Sequence, residues 1–254
     1  MPLVSIAVGQ GANEEEQIYA QSRMVRQALV VGMLTILILA LTACGGGGSA
    51  QEEEQAHNVH TIPEDSQTYE GKPLPAGHYV TEEFRLTKSF DLDTGWTRGG
   101  PELRDAWDII DIDNDAYWLG FLNAEEVYKP NGSGGLKVAP APEDMVAWVQ
   151  TNPFLKTEKS TQVSVGGKKG VQIDALVAGA PEEPACPDCA DLGLVYESAG
   201  ATWGVNQGEK LRFIVVEDVK GETVTIIEET TPEGFKEFTT KSQKVLDSVE
   251  WGSS

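Results

Sequence analysis

The sequence contains few of the residues on which most redox, metal and acid–base sites depend. Among 254 residues there are three Cys and three His, too few for a multi-Cys metal framework or a His-based proton relay. Basic residues are scarce as well, since 19 Lys and Arg stand against 40 Asp and Glu, which gives a formal net charge of -21 and a pI near 4.4. Nucleic acid and anionic lipid surfaces repel such a chain, so neither is expected as its main partner.

Motifs for phosphate-binding loops, dinucleotide-binding loops and nucleophile elbows are absent from the sequence. The sequence offers few candidates for a Ser–His–Asp triad, because His78 is the only His in the part of the chain that we expect to fold. Paired carboxylates remain an alternative route to catalysis, since spacing along a chain does not show which acids meet in space. We therefore expect no catalytic residue and no cofactor.

Residues 24–43 have the composition of an export signal. Met24–Gln27 carry a positive charge, and an uncharged apolar run follows from 28 to 43. That run is shorter than the roughly 18 to 20 residues that a membrane-spanning helix requires, and it ends in small residues. The acidic residues before Met24 are unlike the start of a signal. Residues 1–23 are therefore interpreted as an extension from a misassigned start site.

The residues Leu41-Thr42-Ala43-Cys44 resemble the lipobox of bacterial lipoproteins. The resemblance implies that the signal is cleaved before Cys44, that diacylglycerol is joined to its sulfur, and that a further acyl chain is usually added to the new amino group. Several chains anchor a protein stably where one does not. The resemblance predicts a lipoprotein on the cell membrane, facing away from the cytoplasm. An uncleaved signal anchor is the alternative.

A tether is predicted between the lipid and the domain, over residues 44–75. Gly45–Ser49 are followed by the acidic Gln51–Gln55, with almost no apolar side chain to bury. His57 and His60 form an H-x-x-H pair in this stretch, which we interpret as solvated rather than as a metal clamp. The globular domain is predicted to cover residues 76–254.

Within that domain, the pattern predicts strands, a helix, further strands and a closing helix. The short β-type runs are bounded by Gly, Pro and Asp, whereas the helices show apolar spacing of three and four residues. This order indicates an antiparallel sheet with two packed helices, an α+β fold. The predicted strands are His78–Phe84, Leu86–Leu92, Trp107–Asp113, Tyr117–Leu122, Val163–Val165, Val171–Val177, Leu211–Glu217 and Glu222–Glu228, and the helices follow Pro142 and Pro232.

Three segments resemble the PsbP-like fold, which a photosystem II extrinsic subunit shares with LpqN-type actinobacterial lipoproteins. They are Phe90–Trp96, with the pattern F-x-L-x-x-G-W, the Gly-rich turn Val165–Gly170, and the closing helix Phe235–Val249. The resemblance extends from about Tyr79 to Trp251. It implies a single α+β domain, and none of its motifs is catalytic.

Cys186 and Cys189 form a C-x-x-C whose flanks are acidic and rich in Pro. A thioredoxin-type site needs its first Cys at a helix N-terminus, and negative neighbours raise a thiol pKa. A structural zinc site needs two further ligands. We expect a disulfide that closes a loop outside the cytoplasm, where oxidation persists; a redox pair and a metal site are the alternatives.

The densest acidic run contains Asp111, Asp113 and Asp115, whose spacing is similar to that of a calcium loop. The similarity is incomplete, because Ala116 stands where Gly is needed and Leu122 where a bidentate Glu is needed. We interpret the run as a solvated face, with a weak cation site as the alternative.

Tryptophan supplies the candidate contact residues. Trp107 and Trp118 flank the acidic turn and Trp203 lies in a predicted loop, whereas Trp148 and Trp251 are expected to pack inward. Together these features predict a lipid-anchored, non-catalytic binding or scaffold protein that contacts a protein or another extracellular ligand. The alternatives are an extracellular enzyme, a thiol–disulfide protein that uses the C-x-x-C, and a weak calcium-binding surface module.

Overall fold

The computed structural model describes residues 59–62, 72–100, 102–182, 192–196 and 202–252. These ranges contain sixteen strands and two helices. The helices are α1 (Met145–Thr151) and α2 (Phe235–Ser248). The strands are β1 (Val59–Thr61), β2 (Gly77–Val80), β3 (Thr87–Leu92), β4 (Trp96–Arg98), β5 (Ala106–Asp111), β6 (Asn114–Leu122), β7 (Glu126–Pro130), β8 (Leu136–Pro140), β9 (Leu155–Thr157), β10 (Thr161–Val165), β11 (Lys168–Val177), β12 (Leu192–Tyr196), β13 (Thr202–Val205), β14 (Lys210–Val219), β15 (Glu222–Thr230) and β16 (Glu250–Trp251).

A large antiparallel sheet forms the middle layer, in the order β10-β11-β14-β15-β6-β5-β4, with β9 paired to β11. Its centre is the β14–β15 hairpin, whose nearly continuous apolar run is typical of a strand buried on both faces. Successive side chains along a strand point to opposite faces. Ile214 and Val216 therefore pack into one core, whereas Phe213 and Val215 pack into the other.

Each face of the middle sheet is covered by a smaller sheet and one helix. On one face the layer consists of α2 and the sheet β1-β2-β3-β16, with Phe90, Phe238 and Leu246 in the shared core. On the other face it consists of α1 and the sheet β13-β12-β7-β8, with Val127 and Val149 in the shared core. The predicted α+β class is therefore confirmed, and its helices lie on opposite sides of the middle sheet.

Both predicted hairpins are present, with tight turns. Gly166 and Gly167 join β10 to β11 with φ of +53° and +76°, the left-handed backbone that two-residue hairpin turns require. A Cβ atom on Gly166 would lie 2.5 Å from the carbonyl oxygen of Val249. Both the backbone conformation and the closeness of Val249 therefore require Gly at this position.

Both predicted helices are also present, each with an apolar side against the sheet. The carboxylate of Asp144 accepts a hydrogen bond of 2.8 Å from the backbone nitrogen of Ala147 and so caps α1. Phe238, Val245 and Leu246 are buried on α2, which agrees with the predicted apolar spacing. Within the described residues, no helix is long and apolar enough to cross a membrane.

The predicted boundary between tether and domain lies too late in the sequence. Val59–Thr61 pair in parallel with β2, and Ile62 and Leu74 are 3% and 2% exposed within a core. These isolated apolar residues lie among polar neighbours, so their local pattern did not indicate burial. The turn between the predicted strands Trp107–Asp113 and Tyr117–Leu122 is also displaced, because β5 and β6 join through Ile112 and Asp113.

Candidate functional site

A surface groove lies between α1 and β7, with a volume of about 400 Å³. We call it the α1–β7 groove. It combines aromatic rings and proline rings with a few polar side chains, a composition that is typical of ligand sites. Its lining residues are Tyr128, Lys129, Pro130, Pro142, Asp144, Ala147, Trp148, Thr151, Asn152 and Pro153.

Local chain geometry places α1 beside β7. The backbone nitrogen of Ala141 bonds to the carbonyl of Glu125 at 2.9 Å, which holds the start of the β8–α1 connection against the β7 strand. The other end of the helix is closed by Asn152, whose Oδ1 accepts a 3.0 Å hydrogen bond from the backbone nitrogen of Phe154. Trp148 is 8% exposed and belongs to the core on this face. The groove therefore has a packed wall.

Some polar side chains of the groove are bonded within the helix, whereas others have donors that the described residues do not use. The Asp144 Oδ1 atom is used by the helix cap, and the Thr151 hydroxyl donates to the carbonyl of Ala147 at 2.7 Å. By contrast, the indole N–H of Trp148 and the amide Nδ2 of Asn152 make no hydrogen bond within the described ranges, and Lys129 makes no ion pair there. A ligand with acceptor atoms would satisfy these groups.

A second cluster joins two Trp residues to acids, on the side of the middle sheet that faces β13. Trp118 and Trp203 stack with ring centroids 5.2 Å apart; we call them the Trp118–Trp203 stack. The Trp118 indole donates to Asp108, whose pKa is raised by burial. The Trp203 indole donates to Glu229 at 3.2 Å. Each ring is thus fixed by its own carboxyl group.

Glu229 is the most perturbed acid of this cluster. Burial and the neighbouring carboxyl of Glu209 raise the pKa of Glu229 to about 8. Glu209 is itself held in place by the backbone nitrogen and the amide of Asn206, at 2.6 and 3.0 Å. Near neutral pH the Glu229 carboxyl therefore keeps its proton, beside the turn between β13 and β14 that Glu209 closes onto Asn206.

A third polar group is enclosed between β14, β15 and α2. Glu228 has no exposed surface and accepts a 2.6 Å hydrogen bond from the Ser242 hydroxyl. Arg212 lies 3.8 Å from Glu228 and pairs with Asp174 at 2.8 Å. Burial raises the pKa of Glu228 to about 7. These residues do not line the α1–β7 groove, so we interpret them as a structural network.

The prediction that Trp107 contacts a partner is wrong. Trp107 is 1% exposed and lies between the rings of Phe90 and Phe121, with both centroid distances 4.2 Å. Strand alternation turns its side chain into the core rather than toward the acidic turn. Trp118 is half-buried and Trp203 is 8% exposed; their proposed contact role stays a prediction.

Within the described part of the acidic run, Asp111 is engaged by groups of the protein itself. Asp111 accepts a 3.0 Å hydrogen bond from the backbone nitrogen of Asp113, and its other oxygen lies 2.9 Å from the ammonium of Lys241. A bound ammonium group competes with any metal ion for that carboxylate. No cluster of three potential ligands occurs among the residues described, and the side chain of Asp115 lies outside them.

Three predicted site residues, Cys44, Cys186 and Cys189, lie outside the described ranges, so lipidation and the disulfide stay predictions. The sequence patterns did not predict the α1–β7 groove. Its signals were the Pro residues that bracket α1 and the Lys-Pro end of β7, but each is an ordinary surface feature by itself. Trp148 was correctly expected to pack inward, and it also forms a wall of the groove.

No protein family and no curated protein matches this chain. Several solved structures are similar to it, among them the following two. One is cyanobacterial PsbP (CyanoP) from Synechocystis, with 11% identity and a TM-score of 0.36, covering 83% of this chain and 98% of that one. The other is LpqN from Mycobacterium tuberculosis, described as involved in cell envelope biogenesis, with 8% identity and a TM-score of 0.32, covering 71% of this chain and 90% of that one.

Proposed function

We propose that the protein is a lipid-anchored, extracytoplasmic binding module and that the α1–β7 groove is its binding surface. The observation that carries the proposal is the groove itself, where apolar rings lie beside donors that have no partner in the described structure. Binding sites in proteins typically combine an apolar wall with a few convergent polar groups. The ligand would be met outside the cytoplasm, where the anchor holds the domain.

The chemistry of the groove favours binding over turnover. The acids with raised pKa, Asp108, Glu228 and Glu229, lie among Trp and Arg side chains and do not line the groove. Two described lining side chains carry a hydroxyl, Tyr128 and Thr151, and that of Thr151 donates to the helix backbone. An acid–base pair aimed at a bound molecule would have to come from other groups.

The anchor is tested by replacing Cys44 with Ser. Because the thiol is the atom that takes the diacylglycerol in the lipobox mechanism, we expect C44S to lose metabolic labelling by an alkyne-bearing fatty acid, and wild type to be labelled and membrane-bound. The matched control is the double variant C186S/C189S, which should keep full labelling. Equal labelling of C44S and wild type would contradict the proposed anchor.

The groove is tested by two changes on one helix. Ala147 lines the groove, whereas Gln150 is exposed on the same helix and does not. Arg is a good helix former, so A147R should fill the groove without disturbing α1, and Q150R controls for the added charge. We expect native mass spectrometry of protein purified from its own membranes to show a bound species that falls at least tenfold in A147R alone. A species that A147R retains at wild-type occupancy would refute the proposal.

A further inference from the structure

Two lysines face each other beside the α1–β7 groove. Lys129 on β7 and Lys137 on β8 are direct partners in the antiparallel register, and Lys129 lines the groove. Directly opposite residues lie on the same face of a strand pair, with Cβ atoms about 5 Å apart. The two ammonium groups therefore emerge side by side.

This arrangement is unfavourable without a counter-charge. Like charges placed directly opposite each other destabilise a strand pair, and neither lysine has an ion pair among the residues described. Other lysines of this acidic chain do have acidic partners. Lys88 lies 2.9 Å from Glu250, and Lys241 lies 2.9 Å from Asp111. An anion bound beside Lys129 and Lys137 would relieve their repulsion.

The neighbouring groups select the rest of the ligand. The indole N–H of Trp148 and the amide of Asn152 add two donors that have no described partner, so the groove favours a ligand rich in acceptors. The Pro130, Pro142 and Pro153 rings add rigid apolar surface, against which a rigid ring system packs with less loss of conformational freedom than a flexible chain. Asp144 is the one described lining residue with negative charge, and its Oδ1 atom caps α1.

We infer that the α1–β7 groove takes an anionic organic ligand built on an apolar ring system, with Lys129 and Lys137 binding its anionic group. This inference rests on the proposed function of the groove and names its ligand class. The overall charge of -21 repels anions at long range, so recognition depends on these close contacts rather than on attraction by the protein as a whole.

Two fluorescent probes with matched ring systems test the inference: anilinonaphthalene sulfonate, which is anionic, and N-phenylnaphthylamine, which is neutral. The variant K129A/K137A is compared with K169A/K236A, which removes two other exposed lysines that have no described ion pair. Because charge-assisted contacts are lost, we expect K129A/K137A to weaken the sulfonate about tenfold and to leave the neutral probe unchanged. The control variant should bind both probes as wild type does.

The failures of the two proposals can be told apart with A147R. If A147R abolishes binding of both probes but K129A/K137A changes neither, the groove binds ligands without selecting an anion, and the inference is overturned while the proposed function stands. If A147R changes neither probe, the groove is not their binding site and both proposals fail. Absence of sulfonate binding to wild type at millimolar concentration also overturns the inference.

Discussion

Replacing Trp107 with Ala is expected to lower the free energy of unfolding by about 3–5 kcal/mol, the range for truncating a fully buried aromatic residue. The indole is stacked between Phe90 and Phe121, and its N–H donates to the Thr87 hydroxyl at 3.2 Å. Phe90 belongs to β3 and Phe121 to β6. Truncation therefore opens a cavity where the outer sheet β1-β2-β3-β16 packs on the middle sheet.

Urea unfolding followed by circular dichroism measures this loss. The milder variant W107F keeps a ring between Phe90 and Phe121 but loses the hydrogen bond to Thr87. It should therefore lower the free energy of unfolding by about 1–2 kcal/mol, less than W107A does. If W107A unfolds at the wild-type urea concentration, the side chain is not part of the core and the packing of the two sheets is different from that described.

Replacing Glu229 with Gln is expected to stabilise the protein at alkaline pH. In the folded state the pKa of Glu229 is raised to about 8 by burial and by Glu209, from an ordinary value of 4.5. Between these values the folded state binds a proton that the unfolded state has released, so stability falls as pH rises from about 4.5 to about 8. A neutral Gln removes that dependence and still accepts a hydrogen bond from Trp203.

The expected difference between E229Q and wild type is close to zero at pH 4 and on the order of 2–4 kcal/mol in favour of E229Q at pH 8.5. Urea unfolding across this range measures it. The matched control is E217Q, an exposed position on β14, which should follow the wild-type curve. A constant difference between E229Q and wild type at all pH values would mean that Glu229 does not change its protonation in this window.

Sequence patterns predicted the elements whose apolar residues are dense and regular. The β14–β15 hairpin and helix α2 bury nearly every residue that their periodicity assigned to a core. The α+β class follows from these elements and from the short helix α1, because each has an apolar surface that must be covered.

Elements that combine few apolar residues with long-range pairing were missed. Strands β7 and β8 read E-V-Y-K-P and L-K-V-A-P, in which Lys and Pro interrupt the alternation that marks a strand. Their pairing with each other and with β12 creates the wall of the α1–β7 groove, so the groove could not be predicted without them. Likewise, β1 is a strand because β2 lies beside it, and its own residues give little local signal.

The candidate contact residues, too, could not be judged from local sequence alone. A Trp near a turn looks available from the sequence, yet whether it faces solvent depends on which face of the sheet is covered. Trp107 points into the core that is covered by β2 and β3. Trp148, by contrast, belongs to the core on the other face and also lines the α1–β7 groove.

The central claim, that the α1–β7 groove is where this protein binds its ligand, is tested most directly by the indole resonances of the six Trp residues. Protein labelled with ¹⁵N at Trp is titrated with the small-molecule fraction of its own cell envelope, and each resonance is assigned by a Trp→Phe variant. We predict that the Trp148 resonance shifts and that the resonances of Trp107 and Trp251 do not. A titration in which the Trp118 and Trp203 resonances shift while that of Trp148 stays fixed would contradict the account and would place binding at the Trp118–Trp203 stack.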